Sequence, residues 1–475
     1  MSTTATPSTL ENAAQPHLPV SRILGYACGD AGCNIAFQMT GLFLLIFYTD
    51  VVGINPIHAG NIFLFVKIWD ALADLFAGRM VDRTMTRWGK FRPFLLWYSV
   101  PLLLSNLLCF WIPVDGYGAK LAWATVSYAL LGLLYSLVNI PYGSLAGAMS
   151  QNPIDRSRLA SGRMVGSGST ILLLALVLAP QIKASDNLAL TFLITAAAFV
   201  VIGTILFMIV FVTARETVIR EVPQVSFKQT LQTVTKNGPL ARLCLSSFFY
   251  LTAQNVVSAL GIYIANTVLS QYVGGNWLAT VVTIITTGAV IYVGPFGPLV
   301  TRTLGKKRGF ILAGVGTLVG SALFFVSGNL TFALIGLFFL GVGMALLNTM
   351  TWALEADTVE YGEFKTGIRT EGATYAAFSF TRKVGQAVGA AIAGYALAWA
   401  GYNGALKATG TPQPPEVLDR MQQAAGALPF LLFLVAILIM ASYPLTEARF
   451  REIVASIQAN RARRLAQQHT DDVTT

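Results

Sequence analysis

The stretch Phe63-Leu64-Phe65-Val66-Lys67-Ile68-Trp69-Asp70-Ala71-Leu72-Ala73-Asp74-Leu75-Phe76 is apolar enough to lie within a bilayer, yet it carries a lysine and two aspartates. On a helix, residues i and i+4 share a face, so Asp70 and Asp74 stand one turn apart with Lys67 a turn before them. A charged side chain at the bilayer centre costs about 3 to more than 10 kcal/mol, depending on what water and neighbours supply. Two acids kept on one face beside a base therefore suggest a site for a small cation or a proton, and a coupled transporter rather than an anchor. A buried ion-pair network that only joins helices is the competing reading.

The rest of the chain fits a bilayer. Of 475 residues, 55% are hydrophobic and 11% charged, and the mean hydropathy is +0.63. Soluble domains carry about 25% charged residues. The apolar runs are long and do not alternate, which indicates helices rather than barrel strands. Residues 1–20 are polar, with no basic stretch leading into an apolar one, so no cleaved signal peptide is expected. The net charge of +10 is dispersed among short loops, which argues against a nucleic-acid partner. Cys28, Cys33, Cys109 and Cys244 fall in apolar runs without metal-type spacing and read as small core residues. His17, His58 and His469 lie in tails or at a helix start, so a histidine proton relay within the membrane is not expected.

Twelve helices are expected, over 22–50, 58–79, 94–113, 121–148, 164–182 and 188–213, then 240–270, 277–301, 309–327, 331–354, 374–400 and 428–445. Each approaches the ~20 residues that a bilayer requires. Arg79, Arg83, Arg87, Lys90, Arg92, Arg156, Arg158, Lys306, Lys307 and Arg308 fall in loops of one side, while the opposite loops hold little beyond Lys120, Lys183, Lys407 and Arg420. Positive residues stay inside, so both termini are expected in the cytoplasm. The organisation expected is a tail (1–20), a six-helix bundle (21–213), a central loop (214–239), a second six-helix bundle (240–445) and a tail (446–475). Within the central loop, 225–234 reads as a short surface helix with Phe227, Leu231 and Val234 on one face.

The halves echo each other. Gly78-Arg79-Met80-Val81-Asp82-Arg83 precedes Gly89-Lys90 after the second helix, and Gly297-Pro298-Leu299-Val300-Thr301-Arg302 precedes Gly305-Lys306 after the eighth. Such a repeat in matching topology implies an all-α membrane protein of the major facilitator superfamily fold, with twelve transmembrane helices in two bundles. Both loops acting merely as positive anchors is the alternative.

Polar groups within the spans outline one cavity. They are Asp30 and Asn34 in helix 1, Lys67, Asp70 and Asp74 in helix 2, and Tyr135, Ser136 and Asn139 in helix 4 before Pro141. Arg163 stands at the start of helix 5, and Arg382 and Lys383 at the start of helix 11. Oxygens of Asp70, Asp74, Ser136 and Asn139 suit sodium, while one carboxylate alone suits a proton. The bases exceed what the two acids of helix 2 need, and a spare cation in a cavity suits a substrate carrying a carboxylate. Bases that only neutralise the acids, or that snorkel, are the alternative. Tyr135 and Trp352 are candidate sugar-stacking rings. The acidic stretch Glu355–Glu371 reads as a cytoplasmic loop whose Asp357, Glu360, Glu363 and Glu371 form a gate with Arg83, Arg87, Lys90 or Arg156, next to Asp82. A solvated loop is the plainer option.

Four segments resemble the glycoside–pentoside–hexuronide:cation symporter family. They are Ile68-Trp69-Asp70-Ala71-x-x-Asp74, Arg87-Trp88-Gly89-Lys90-Phe91-Arg92-Pro93, Asn139-Ile140-Pro141-Tyr142-Gly143-Ser144-Leu145 and Asp357-Thr358-Val359-Glu360-Tyr361-Gly362-Glu363. Trp352–Asp357 and Ser379–Lys383 look most like the family's bacterial glucuronide carriers. The resemblance implies that Asp70 and Asp74 form the cation site with help from Ser136 and Lys383, and that Arg163 lies near the sugar. Asn139 and Asn34 replace acids found in the family's melibiose carriers. The first change favours a proton over sodium, and the second suits an acidic sugar better than a galactoside. The expectation is a monomeric symporter of the bacterial inner membrane, not an enzyme. It would need no cofactor beyond a co-transported proton or sodium ion, and would have a sugar conjugate, that cation and lipid as its partners. A carrier of neutral pentosides or oligosaccharides, and a non-transporting sugar sensor, are the rivals.

Overall fold

The computed structural model describes residues 17–150, 153–216, 237–273, 277–366, 371–408 and 411–459. The long helices lie where hydropathy places them. They are α1 (Val20–Ile46), α2 (Pro56–Arg83), α3 (Arg92–Cys109), α4 (Tyr117–Met149), α5 (Pro153–Leu173) and α6 (Leu188–Thr213), then α7 (Gly238–Tyr263), a broken α8, α9 (Lys306–Phe325), α10 (Leu330–Thr366), α11 (Glu371–Ala400) and α12 (Pro415–Ala441). Among the described residues, eight helices are individually long and apolar enough to cross a membrane, and the bent α8 makes a ninth. The charges that make α2 and α11 less apolar are the ones read above as functional.

Local chemistry sets the helix starts. The Asn55 side chain accepts a hydrogen bond from the Ile57 amide, with Pro56 at the first helical position of α2. Asn187 does the same for the Leu190 amide at the start of α6. Pro141 removes one donor from the ladder of α4, but the helix runs on through it.

Four expectations are corrected. α5 starts at Pro153 rather than at 164, so Arg163 lies well inside the helix. Proline suits a helix start, and the polar turns that follow simply extend beyond the apolar run. α10 continues to Thr366, so Glu355, Asp357, Glu360 and Glu363 ride on a helix rather than a loop. That stretch has no proline, and Ala, Leu and Glu favour a helix whatever its polarity. α12 likewise begins at Pro415, thirteen residues before the expected 428. The eighth span is split into Leu278–Ile285, Ala289–Val293 and Gly297–Leu304, and bends by 43°. Gly288, Gly294-Pro295 and Gly297-Pro298 account for the break. The surface helix expected at 225–234 lies outside the described residues.

The chain forms two compact units. The first joins Met1–Glu221 with Ser258–Ile284 and Ala390–Met421, and the second joins Val222–Val257, Ile285–Gly389 and Gln422–Thr475. In the first, Phe47, Phe110 and Phe192 pack ring on ring at 5.3–5.5 Å. In the second, Tyr250, Phe310, Met344, Leu347, Phe433 and Met440 build the core. The small residues of α1 allow close packing: a Cβ at Gly29 would stand 2.3 Å from the Tyr142 ring.

The Gly-Lys repeat has a physical basis. Glu216, just past α6, accepts from the backbone amides of Lys90, Phe91 and Arg92 at 2.8, 2.8 and 2.9 Å, at the start of α3. Glu447, past α12, accepts from the Lys306 amide at 2.8 Å, at the start of α9. Each carboxylate meets the unpaired amides and positive dipole end of a helix. Gly89 and Gly305 have φ of +106° and +77°, and a Cβ at either would come within 2.8 Å of the glutamate. Each half thus uses glycine to let an acid approach a helix start.

Candidate functional site

Among the described residues, the polar groups expected on the first, second, fourth and fifth helices gather into two clusters in the first unit. The first joins α2 to α4. The Trp69 indole donates to the Ala129 carbonyl at 3.0 Å and fixes the two helices side by side. Lys67 Nζ is 3.0 Å from Asp70 Oδ2, and it faces the rings of Phe37 and Tyr128, each at 5.7 Å. The Ser136 hydroxyl donates to Asp74 Oδ1 at 2.6 Å and also lies 3.1 Å from the Gly132 carbonyl. Asp70 is buried, and its Oδ1 has no hydrogen-bond partner among the described residues. That oxygen abuts Gly132, where a Cβ would come within 1.7 Å of it. Asn139 is half-buried on α4, three residues after Ser136. Tyr135 stacks on Phe37 at 5.6 Å, so the ring proposed for a sugar packs against one of the two rings beside Lys67.

The second cluster joins α1 to α5 and α4. Arg163 Nε donates to Asp30 Oδ1 at 3.0 Å. Asn34 Nδ2 donates to Asp30 Oδ2 at 2.9 Å, and Gln38 Nε2 lies 3.4 Å from Asn34 Oδ1. The guanidinium lies 5.2 Å from the centre of the Tyr142 ring. Tyr142 stacks on Tyr26 at 4.6 Å, and each hydroxyl donates to the other residue's carbonyl. Asp30 is thus engaged by both Arg163 and Asn34. The Arg163 Nη groups make no hydrogen bond among the described residues, and the side chain is 37% exposed. They offer a carboxylate a forked pair of donors.

In the second unit, Trp352 on α10 stacks with Tyr375 at 6.3 Å and meets Phe378 edge-on at 5.3 Å. Arg382 and Lys383 are half-buried on α11. Asp357 pairs with Lys306, a partner not among the bases expected for it. Of the other gate candidates, Arg87 stacks over Trp88 at 4.4 Å, and Lys90 lies over Phe91 at 5.8 Å. Arg83 ends α2, and Glu360 and Glu363 line α10. The side chains of Asp82, Arg156 and Glu371 lie outside the described residues.

One cluster was not foreseen. Where α1 passes into a π-helical turn (Phe47–Val51), the Tyr402 hydroxyl donates to both Asp50 oxygens at 3.0 and 2.9 Å. Thr49 Oγ1 is 2.8 Å from Asp50 Oδ1 and 2.7 Å from the Tyr263 hydroxyl. Asp50 is the last residue of the first expected span, 22–50, and carried no reading of its own. An acid and a threonine followed by Gly53 were the available signals, but the partners lie more than 200 residues away in sequence.

Residues 25–447 match the family described as MFS/sugar transport protein. The chain belongs to that family. It is 40% identical over 457 residues to the "Glucuronide carrier protein homolog" of Escherichia coli (strain K12), covering 95% of this chain and 98% of that protein. It is 32% identical to a "Putative 2,3-dihydroxypropane-1-sulfonate exporter" of Salmonella typhimurium, over 95% of this chain and 99% of that one. The resemblance read from the helix-2, helix-4 and helix-10 motifs is borne out along the chain. Among solved structures, a peptide transporter in complex with sulfate has the same fold, with a TM-score of 0.62 at 13% identity, over 92% of this chain and 99% of that one. The family is thus one of sugar transporters with the major facilitator fold. The chain is a multi-span membrane carrier, not an enzyme, and its relatives move small molecules.

Proposed function

We propose that the protein is a proton-coupled symporter that brings a glucuronide, or a related acidic sugar conjugate, into the cell by alternating access. It works as a monomer in the bacterial inner membrane with both termini cytoplasmic, as the distribution of loop arginines and lysines supports. The observation that carries the substrate class is Arg163. Its Nε is bound to Asp30 while its Nη groups remain available beside the Tyr26–Tyr142 stack. A planar guanidinium held by an acid at one edge suits a carboxylate at the other. Asn34 adds no further negative charge there. The relatives named for a glucuronide and for a sulfonate support acidic cargo.

Coupling is assigned to Asp70 and Asp74 with Ser136 and Asn139. Lys383 shares in it on the strength of the helix-11 motif. Lys67, Tyr135 and Trp352 complete the substrate and ion surroundings, and the gating role of Asp82, Arg83, Arg87, Lys90, Arg156, Asp357, Glu360, Glu363 and Glu371 rests on the charge pattern. In alternating access each ligand stabilises the state that the other also prefers, which is what couples their movement. Competition against labelled aryl β-glucuronide uptake tests the substrate class. Unlabelled glucuronides should compete at least tenfold better than the matching neutral glucosides. Equal competition would remove the acidic-substrate assignment.

A further inference from the structure

A lysine within a membrane span is held on three sides. Lys67 Nζ contacts Asp70 Oδ2 at 3.0 Å and lies 5.7 Å from the centres of the Phe37 and Tyr128 rings. A carboxylate with two aromatic faces is a cage for an ammonium. The opposite side of Asp70 is sealed. Oδ1 is buried without a hydrogen-bond partner among the described residues and lies so close to α4 that only glycine fits at position 132. The open face of Asp70 is therefore the one that the ammonium occupies. Asp74, one turn on, is engaged by Ser136 instead.

We infer that Lys67 is the built-in counter-cation of the coupling site and the residue that keeps sodium out of it. A sodium ion at Asp70 would need several oxygen ligands. It would find one carboxylate face closed by Gly132 and the other filled by a positive charge that it must displace or tolerate. This rests on the assignment of the α2 carboxylates as the coupling site and deepens it. Lys67 serves as a selectivity residue acting through Asp70. Removing its ammonium leaves a vacant cage that an external cation can enter.

The test is thermal unfolding of purified full-length protein in detergent, without sugar, in choline, sodium or methylammonium chloride at equal ionic strength. Wild type, Lys67→Arg, Lys67→Ala and Lys67→Gln are compared. The expected result is no sodium effect in the wild type or in Lys67→Arg. Lys67→Ala and Lys67→Gln should gain about 3 °C or more, saturably, from sodium or methylammonium. Should both neutral variants fail to fold in choline, recovery of a monodisperse protein on purification in sodium or methylammonium supports the inference, and no recovery in either overturns it. Saturable sodium stabilisation of the wild type, or folded neutral variants indifferent to both cations, would also overturn it. Because no sugar is present, a failure of glucuronide uptake bears on the substrate assignment and leaves this result standing.

Discussion

Asp74 and Arg163 carry different halves of the proposed work, and single substitutions separate them. Asp74→Asn keeps a side chain that Ser136 can still reach but removes the charge that a coupling ion needs. It should abolish accumulation of sugar against a gradient while leaving expression, insertion and downhill exchange in place. Retained uphill uptake would contradict the coupling role. Arg163→Gln leaves Asp30 buried without its cation. Breaking such a pair costs about 3–5 kcal/mol, so folding must be checked alongside. Arg163→Lys preserves the charge but loses the fork, and should weaken a glucuronide about tenfold while sparing its neutral glucoside. Equal losses would count against Arg163 as the carboxylate partner. The Lys67, Asp70 and Asp74 face was legible in the sequence because three charges at helical spacing interrupt an apolar run. The destination of Lys67 was not. Its cage is closed by Phe37 and Tyr128, residues whose apolar character makes them indistinguishable from ordinary core.

Among the elements, the starts of α3 and α9 share one device, a distant glutamate on the backbone amides. The sequence shows the Gly-Lys repeat but not its purpose, since Glu216 lies 126 residues from Lys90 and Glu447 lies 141 from Lys306. Glu216→Gln keeps the acceptor and loses the charge at a helix start, which is worth about 0.3–2 kcal/mol. Gly89→Ala forces a side chain into a left-handed backbone and into the carboxylate. The second variant should lower the unfolding temperature more than the first, as read by thermal denaturation in detergent. The reverse order would contradict the close approach of acid and glycine. Helix lengths show the limit of hydropathy: α5, α10 and α12 all begin or end beyond their apolar stretch, because polar helix formers continue a helix past the bilayer.

At the scale of the molecule, the first compact unit includes Ser258–Ile284 and Ala390–Met421 beside the N-terminal helices. The Asp50, Thr49, Tyr263 and Tyr402 cluster ties these segments to the end of α1. Tyr402→Phe removes the donor to Asp50, an effect of about 1–3 kcal/mol. Hydrogen–deuterium exchange over 48–54 should then quicken about 5–150-fold, and an unchanged rate would show that the Tyr402 hydrogen bonds do not hold that turn. The all-helical, multi-span character of the chain was legible in the sequence because hydropathy reports on the bilayer. Which distant residues meet Asp50 depends on packing across the chain, which no local pattern reveals.

The central claim is proton-coupled uptake of an acidic sugar, and the direct measurement is entry of a labelled aryl β-glucuronide into membrane vesicles under an inward proton gradient with sodium absent. Symport predicts a transient accumulation above equilibrium that collapses when a protonophore is added and is missing in Asp74→Asn vesicles. Uptake that never exceeds equilibrium, or accumulation indifferent to the protonophore, would contradict it.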